Sequence, residues 1–331
     1  MNINYEVVSK LLPERNPSGY FGFSFLSWQG SSISFKDSMW AVYLIYFAII
    51  SLTLGMYIFK TQVRNVYLVN QQRTIYILQG MGFFLFALTI FRTIILAVGG
   101  YPNLWELVPF HFCRMFVIMI SVSLMFKKIN LIKYLGVFAI GGGIIGLLIS
   151  DLSNSEYWVK FGGMEIGIDN YIFWDFFIIH ASSVLLSFYI FVILKPKIYK
   201  STITYSFLSM FVFTLCIFGL NIAFSNVSDP RWRPNWFYLG IPELNGIDEM
   251  LEPYIGKFAS SYPAILGTFI SIGSAMYIGF TMICINSDRL EFILRDEKTK
   301  AICFKIKIVS SNNMKHFIEG PKKKYRENYN N

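Results

Sequence analysis

Long apolar runs dominate this sequence, and they constrain its fold more than any other feature. A helix needs about 20 apolar residues to cross the hydrocarbon core of a bilayer. Stretches near that length recur along the chain, at roughly 39–59, 75–98, 107–126, 134–150, 171–194, 204–224 and 262–285. The fourth stretch is the shortest and contains three consecutive glycines. We therefore predict an all-α polytopic membrane protein with seven transmembrane helices.

The composition agrees with this interpretation. Of the 331 residues, 15% are charged and 54% are hydrophobic, whereas a soluble domain has about 25% charged residues. So few charges cannot cover a water-facing surface, which excludes folded soluble enzymes and nucleic-acid-binding proteins. The four cysteines are far apart, so no disulfide framework or zinc-finger spacing is present. The sequence predicts no metal and no cofactor.

The basic residues predict the orientation. Cytoplasmic loops carry an excess of Lys and Arg, and here 20 lie in one alternating set of connections against 7 in the other. We therefore expect a multi-pass protein of the cell membrane with its N-terminus outside and its C-terminus inside. The predicted parts are an extracytoplasmic segment at 1–38, a seven-helix domain at 39–285 and a basic cytoplasmic tail at 286–331.

The predicted outer connection at 225–261 has two distinctive parts. Tryptophans and prolines between Asp229 and Trp236 are typical of a loop at the level of the headgroups. Apolar residues recur at helical spacing over 245–258, with acidic residues elsewhere on the wheel, which predicts an amphipathic helix on the outer surface. Both a loop anchored at the interface and a lid over a site fit this connection.

Small residues spaced by four predict close helix packing. Gly142 and Gly146 have this spacing in the fourth span, and Ser271, Ala275 and Gly279 have it in the seventh. Helix packing is the simpler interpretation, and a ligand site is the alternative.

Few ionisable side chains lie in or beside the spans, where such groups are costly and are candidates for function. They are Arg92, Glu106, His111, Cys113, Arg114, Asp175 and His180. Counting about 1.5 Å per residue from the inner ends of the spans places Cys113 and His180 at nearly the same depth. Arg92 and Asn221 also fall in the outer half of the bilayer. Polar groups from four helices are therefore expected to converge there.

A cysteine and a histidine at the same depth suggest covalent chemistry. A buried thiol is unreactive unless a base or a positive charge activates it. On a regular helix His111 would face away from Cys113, so His180 from another helix is the better base. Pro109 would change this geometry if it starts the helix or kinks it. Its imidazole would take the thiol proton and later protonate a leaving group. Arg114 or Arg92 would hold a lipid phosphate or a developing oxyanion.

Other interpretations of these residues stay open. A buried cysteine also fits a small apolar residue, and His180 also fits a proton relay or a hydrogen bond between helices. The two arginines also fit ion pairs with Glu106 and Asp175, or side chains that reach toward the headgroups. A non-enzymatic transporter or lipid-binding protein is the main alternative to an enzyme. A b-type haem held between His111 and His180 is a further one.

The stretch from Leu107 to Arg114, followed by His180-Ala-Ser-Ser in a later span, resembles the transmembrane protein 164 family. The bacterial members of that family are described as YwaF-like integral membrane proteins. Their third span carries a Leu-Pro-x-His-x-Cys pattern and a later span carries a His; here Val108 stands where the pattern has Leu. The animal members are associated with acyl transfer onto lysophospholipids. The resemblance thus implies Cys113 as the acyl-accepting nucleophile and His180 as its base.

The resemblance extends to two further residues. His111 belongs to the same motif, and Asn221 is similar to an Asn late in the sixth span of the family. The outer loop at 221–236 departs from the family's Asn-Tyr-x-x-Leu segment and Gly-Pro-Trp-Pro loop. The function implied is a membrane acyltransferase acting on phospholipids and lysophospholipids. A lipid hydrolase would use the same Cys and His, with water as the acceptor.

Overall fold

The computed structural model of the protein describes residues 33–99, 101, 104–148, 166–234, 236–238, 262–295, 302–310 and 314–315. Most of these residues are helical. In chain order the helices and strands are α1 (Met39–Ile58), α2 (Lys60–Val69), α3 (Gln71–Val98), α4 (Phe112–Met125), α5 (Ile132–Leu148), α6 (Tyr171–Tyr189), α7 (Lys200–Phe224), α8 (Tyr262–Asn286), β1 (Leu290–Arg295) and β2 (Ile302–Ile308). Short 3-10 turns occur at Leu104–Leu107, Ile129–Leu131, Pro230–Trp232 and Trp236–Tyr238, and a π-helical turn extends α6 over Ile190–Leu194.

Six segments in the described part of the chain are long and apolar enough to cross a membrane. They are Met39–Ile58, Gln71–Val98, Leu104–Met125, Ile129–Leu148, Tyr171–Leu194 and Lys200–Phe224. These six match the first six predicted spans, and the chain is a multi-pass membrane protein. Helix α8 lies where the seventh span is predicted, but its apolar part among the described residues, Gly273–Asn286, is shorter than a span. The seventh span and the orientation therefore stay predictions.

Helices α5 and α6 form the centre of the bundle. The amide oxygen of Asn170 accepts a hydrogen bond from the backbone N–H of Ile172 at 2.9 Å and so caps the start of α6. Large side chains such as Phe173 and Phe177 are buried on α6. In contrast, the outer helices α1, α3 and α7 expose bulky apolar side chains, for example Phe47 on α1. Apolar residues all round a helix are typical of a helix that faces lipid on one side and protein on the other.

Glycines allow α5 to approach its neighbours closely. A Cβ added at Gly143 would lie 2.8 Å from Val184 and 2.9 Å from the backbone oxygen of His180, and both neighbours belong to α6. Gly142 and Gly146 also contact neighbouring helices, so the close packing predicted for the fourth span is confirmed. In the seventh span, close packing was predicted at Ser271, Ala275 and Gly279. A Cβ added at Gly279 would meet no described atom within 4 Å, so close packing is not observed at that glycine among the described residues.

The predicted all-α class needs one correction. The segment after α8, predicted as a basic tail, contains an antiparallel hairpin in which β1 pairs with β2. Its second strand alternates apolar residues with Lys305 and Lys307, and such a period of two favours a strand over a helix. The protein is therefore mostly helical rather than all-α. The amphipathic helix predicted at 245–258 lies outside the described residues.

Connections predicted on the same side of the membrane meet each other in the structure. At the predicted inner end, the ammonium group of Lys60 donates a hydrogen bond to the carbonyl oxygen of Ser287 at 2.8 Å, which joins α2 to the end of α8. At the predicted outer end, the indole N–H of Trp236 donates to the carbonyl oxygen of Trp105 at 3.1 Å. These contacts bring together the residues that form the two sites described below.

Candidate functional site

The third predicted span is interrupted before its helix begins. A 3-10 turn is followed by an irregular stretch that contains Pro109, which has no backbone N–H to continue a helix, and α4 then starts at Phe112. His111 is the residue before the first helical one and has an extended backbone. Its ring centroid lies 5.1 Å from that of Trp105. The argument from a regular helix therefore does not apply to His111, which precedes the first helical residue as the presence of Pro109 allows.

Cys113 lies in the first turn of α4 and contacts the backbone of α5. Its thiol donates a hydrogen bond to the carbonyl oxygen of Gly142, with a sulfur–oxygen distance of 3.3 Å. A Cβ added at Gly142 would lie 2.6 Å from the ring of Phe112 and 3.4 Å from the sulfur of Cys113. The absence of a side chain at this position is what allows the start of α4 to reach α5.

His180, in the middle of α6, contacts α5 one turn further along. A Cβ added at Gly146 would overlap Cδ2 and Nε2 of the imidazole, so the ring lies directly against this glycine. The other ring nitrogen, Nδ1, is 2.7 Å from the carbonyl oxygen of Phe176. Since a carbonyl oxygen only accepts hydrogen bonds, Nδ1 carries the proton of the neutral ring and Nε2 carries the lone pair. His180 therefore presents a basic nitrogen toward α5.

The two glycines bring the thiol and the imidazole to the same face of α5. Residues four apart on a helix lie on one face and are about 6 Å apart along the axis. The sulfur of Cys113 is at Gly142 and Nε2 of His180 is at Gly146. The nucleophile and the base proposed from the sequence thus lie about one helical turn apart along α5.

Gly146→Ala tests this contact. The added methyl group would displace the imidazole or separate α5 from α6, and overpacking of this kind costs about 1–3 kcal/mol. We expect a lower melting temperature in detergent, followed by tryptophan fluorescence. Gly80→Ala is the matched control, because a Cβ there meets no atom within 4 Å and Ala favours a helix over Gly by roughly 1 kcal/mol. Equal stability of the two variants would contradict the contact.

Four charged side chains beside this pair form one ion-pair network. Both terminal nitrogens of Arg114 donate to the carboxylate of Asp175, Nη1 at 3.3 Å. The Nε atom of Arg92 lies 3.5 Å from the same carboxylate, and its Nη2 atom donates to Glu106 at 3.1 Å. The hydroxyl of Tyr101 donates to the other oxygen of Glu106 at 2.8 Å. The side chain of Asp175 is only 1% exposed, so the network has a buried carboxylate at its centre.

The network joins α3, α4, α6 and the turn before α4, and its formal charge is zero. Of the roles predicted for the arginines, the structure shows the ion pairs with Glu106 and Asp175. A lipid phosphate would have to compete with these carboxylates. The network also borders the Cys–His pair, since Arg114 follows Cys113 in the chain and lies within electrostatic range of His180.

Asn221 fastens the outer loop to α7. Its amide nitrogen donates to the carbonyl oxygen of Trp236 at 2.8 Å, and its amide oxygen accepts from the backbone N–H of Trp236 at 3.2 Å. The indole of Trp236 also packs against Phe110, with ring centroids 5.2 Å apart. Asn221 thus acts on the part of the loop next to the start of α4. Sequence reasoning chose this residue by resemblance, but its backbone partner could not be read from the sequence.

The next loop residue, Phe237, adds a second aromatic contact to α4. Its φ is +60°, a region that costs an L-residue roughly 1–2 kcal/mol. Its buried ring lies 5.2 Å from the ring of Phe112 and 5.8 Å from that of Phe213. The loop is therefore held over the residue that precedes Cys113.

The haem alternative needs the same nitrogen of His180 as the acid–base role. Nδ1 is engaged by the carbonyl oxygen of Phe176, so Nε2, which lies at Gly146, is the ring nitrogen left for either an iron atom or a proton. In the part of the chain that the structure describes, no group of three or more His, Cys, Asp or Glu side chains is placed to hold a metal ion.

Comparison with known proteins gives one match. The model of the TMEM164 family matches residues 26–281, about three quarters of the chain. The matched range contains every residue of the site described above. Neither a curated protein nor a solved structure matches the chain.

Proposed function

We propose that this chain, which belongs to the TMEM164 family, is a membrane acyltransferase that moves a fatty acyl chain between phospholipid and lysophospholipid. The observation that carries the proposal is the position of the Cys113 thiol at Gly142 and of His180 Nε2 at Gly146, on one face of α5. A thiol and an imidazole from different helices are the pair that covalent acyl transfer needs. The substrate class comes from the family resemblance of the sequence.

In the first half-reaction, the acyl group moves to the protein. His180 Nε2 takes the thiol proton, and the sulfur of Cys113 attacks the carbonyl carbon of a phospholipid ester. The ester C–O bond then breaks, and the protonated imidazole gives its proton to the departing glycerol oxygen. The products are a lysophospholipid and an acyl thioester on Cys113.

The second half-reaction reverses the roles of the two lipids. A lysophospholipid hydroxyl gives its proton to His180 Nε2 and attacks the thioester carbonyl. The C–S bond breaks, and the imidazolium returns the proton to the sulfur of Cys113. The hydrogen bond from Nδ1 to Phe176 keeps the ring in the tautomer that both steps require.

The charged network does not react itself but positions the helices that carry Cys113 and His180. It is neutral, so it adds no net charge that would oppose the formation of a thiolate or an imidazolium. It also ties α4, which carries Cys113, to α6, which carries His180, through the pair formed by Arg114 and Asp175. We assign Arg114, Asp175, Arg92 and Glu106 to positioning of these helices, and Asn221 to positioning of the loop.

An acyl thioester on Cys113 is the expected intermediate. Purified full-length protein incubated with phospholipid should gain the mass of one acyl group at Cys113, and neutral hydroxylamine should remove it. The exposed Cys216 on α7 is an internal control for nonspecific acylation, and it should stay unmodified. Acylation of both cysteines to the same extent, or of neither, would contradict the mechanism.

The fate of the acyl group separates the alternatives. Transfer to added lysophospholipid indicates the acyltransferase, whereas release of free fatty acid indicates the hydrolase. A protein that forms no thioester and exchanges no acyl groups, yet retains lipid, would be the transporter or lipid-binding protein instead.

A further inference from the structure

A second polar site lies at the opposite, predicted inner end of the bundle. A half-open cavity of about 290 Å³ lies there between α2, the residue after the π-helical turn and β1. Its lining includes the basic residues Lys60, Arg64 and Lys195 and one acidic residue, Glu291. Nothing in the proposed acyl transfer uses these side chains.

The basic groups are held around the cavity by the fold. Lys60 is 4% exposed; its ammonium group donates to the carbonyl oxygen of Ser287 and lies 4.5 Å above the ring of Tyr57. Lys195 follows the π-helical turn with a left-handed backbone, at φ +47°. A Lys adopts this conformation at a cost of roughly 1–2 kcal/mol. The fold thus holds Lys195 beside α2 in a backbone conformation that a lysine does not favour.

The cavity carries an excess of positive charge. Within the described residues, no carboxylate lies at ion-pair distance from Lys60, Arg64 or Lys195. Burial, and next the charge of Lys195, lower the pKa of Lys60; burial, and next the charge of Arg64, lower the pKa of Lys195. Asp288 and Glu291 act in the opposite direction on both groups without cancelling these effects.

We propose that this cavity binds a phosphate group. A guanidinium can hold two phosphate oxygens at once, and two ammonium groups add point charges. The lining also contains the hydroxyl of Thr61 and the amide of Asn65, which can donate to the remaining oxygens. A bound phosphate would balance the excess positive charge that the described residues place at this cavity.

The position of α2 determines which phosphates can reach the cavity. Val66, Leu68 and Val69 are more than half exposed on this helix, as expected for a helix at the surface of a membrane. The headgroup of an anionic lipid is therefore one source of the phosphate, and a soluble phosphate is the other. The site is remote from Cys113, so the proposal does not depend on acyl transfer.

Native mass spectrometry of the full chain in neutral detergent tests the proposal. The probes are phosphatidic acid, inorganic phosphate and, for comparison, zwitterionic phosphatidylcholine. We expect phosphatidic acid or inorganic phosphate to bind more tightly than phosphatidylcholine. Arg64→Gln/Lys195→Gln should weaken that binding by at least about tenfold, since each lost charge-assisted hydrogen bond contributes about one factor of ten. Arg73 is an exposed basic residue of α3 outside the cavity. The control variant is therefore Arg73→Gln, which should bind the same probes as tightly as the wild type does.

The outcomes of this experiment are distinct. Binding of phosphatidic acid alone identifies a lipid headgroup, and binding of inorganic phosphate identifies a site open to solvent; either supports the proposal. No binding, or the same loss in Arg73→Gln as in the double variant, overturns it. Glu291→Gln removes the one acidic group of the lining and should tighten binding by about threefold or more. Unchanged or weaker binding in a Glu291→Gln protein of normal melting temperature would also overturn the proposal.

Discussion

Cys113→Ala is expected to reduce acyl exchange by about 10³-fold or more, to the uncatalysed background. The substitution removes the atom that forms the thioester, while the packing at Gly142 changes only by the loss of one hydrogen bond to its carbonyl oxygen. The measurement is the transfer of a labelled acyl chain from phospholipid to lysophospholipid in proteoliposomes. Cys216→Ala, which removes an exposed thiol from α7, should leave the rate unchanged.

His180→Gln provides the second half of this test. Glutamine is close in size and can still donate to the carbonyl oxygen of Phe176, but it has no basic nitrogen to place at Gly146. We expect a similar loss of exchange and no thioester on Cys113, because the thiol is no longer deprotonated. Full exchange by the alanine variant of Cys113 would refute the covalent mechanism, and full exchange by His180→Gln would remove His180 from it.

Asp175→Asn is expected to destabilise the bundle by about 3–5 kcal/mol. The carboxylate is 1% exposed and faces both Arg114 and Arg92. Its loss therefore gives the buried network a net positive charge. The measurement is unfolding in a denaturing detergent, followed by tryptophan fluorescence. Asp229→Asn is the control: its partner Arg231 is about one third exposed, and an exposed pair contributes about 0–1 kcal/mol.

A double variant measures the coupling between Arg114 and Asp175. Arg114→Met/Asp175→Asn removes one charge of each sign and leaves the pair of Arg92 and Glu106 neutral. We therefore expect it to be more stable than the sum of the single variants predicts, with a coupling of about 0.5–3 kcal/mol. Strict additivity would mean that the network does not act as a unit.

The membrane spans were predictable because hydropathy depends only on the local sequence. The first six predicted spans have helices in the structure. The connections were less predictable, because the basic residues of 60–74 indicate topology and nothing about their contacts. Lys60 and Arg64 in fact belong to α2, which contacts Ser287 and shares a cavity with Lys195, and both of these residues are distant in sequence.

The contacts within the site were less predictable than the spans. Counting residues placed Cys113 and His180 at a similar height, but rotation about each helix depends on packing with other helices. Gly146 and His180 are 34 residues apart, and the small-xxx-small spacing indicated only that some helix comes close. The position of His111 depends on where the helix begins, and of the two effects that Pro109 can have, the structure shows a helix that starts only after it, at Phe112. Nothing in the sequence indicated that Asn221 would bind the backbone of Trp236.

The positive charges of Arg92 and Arg114 equal the negative charges of Glu106 and Asp175. This equality affects how the network responds to a transmembrane voltage. One elementary charge moved across a membrane exchanges about 2.3 kcal/mol with every 100 mV of transmembrane potential. If the helices that carry these four residues shift together, they move no net charge through that field. For these four residues, the resting potential then does no net work on such a motion.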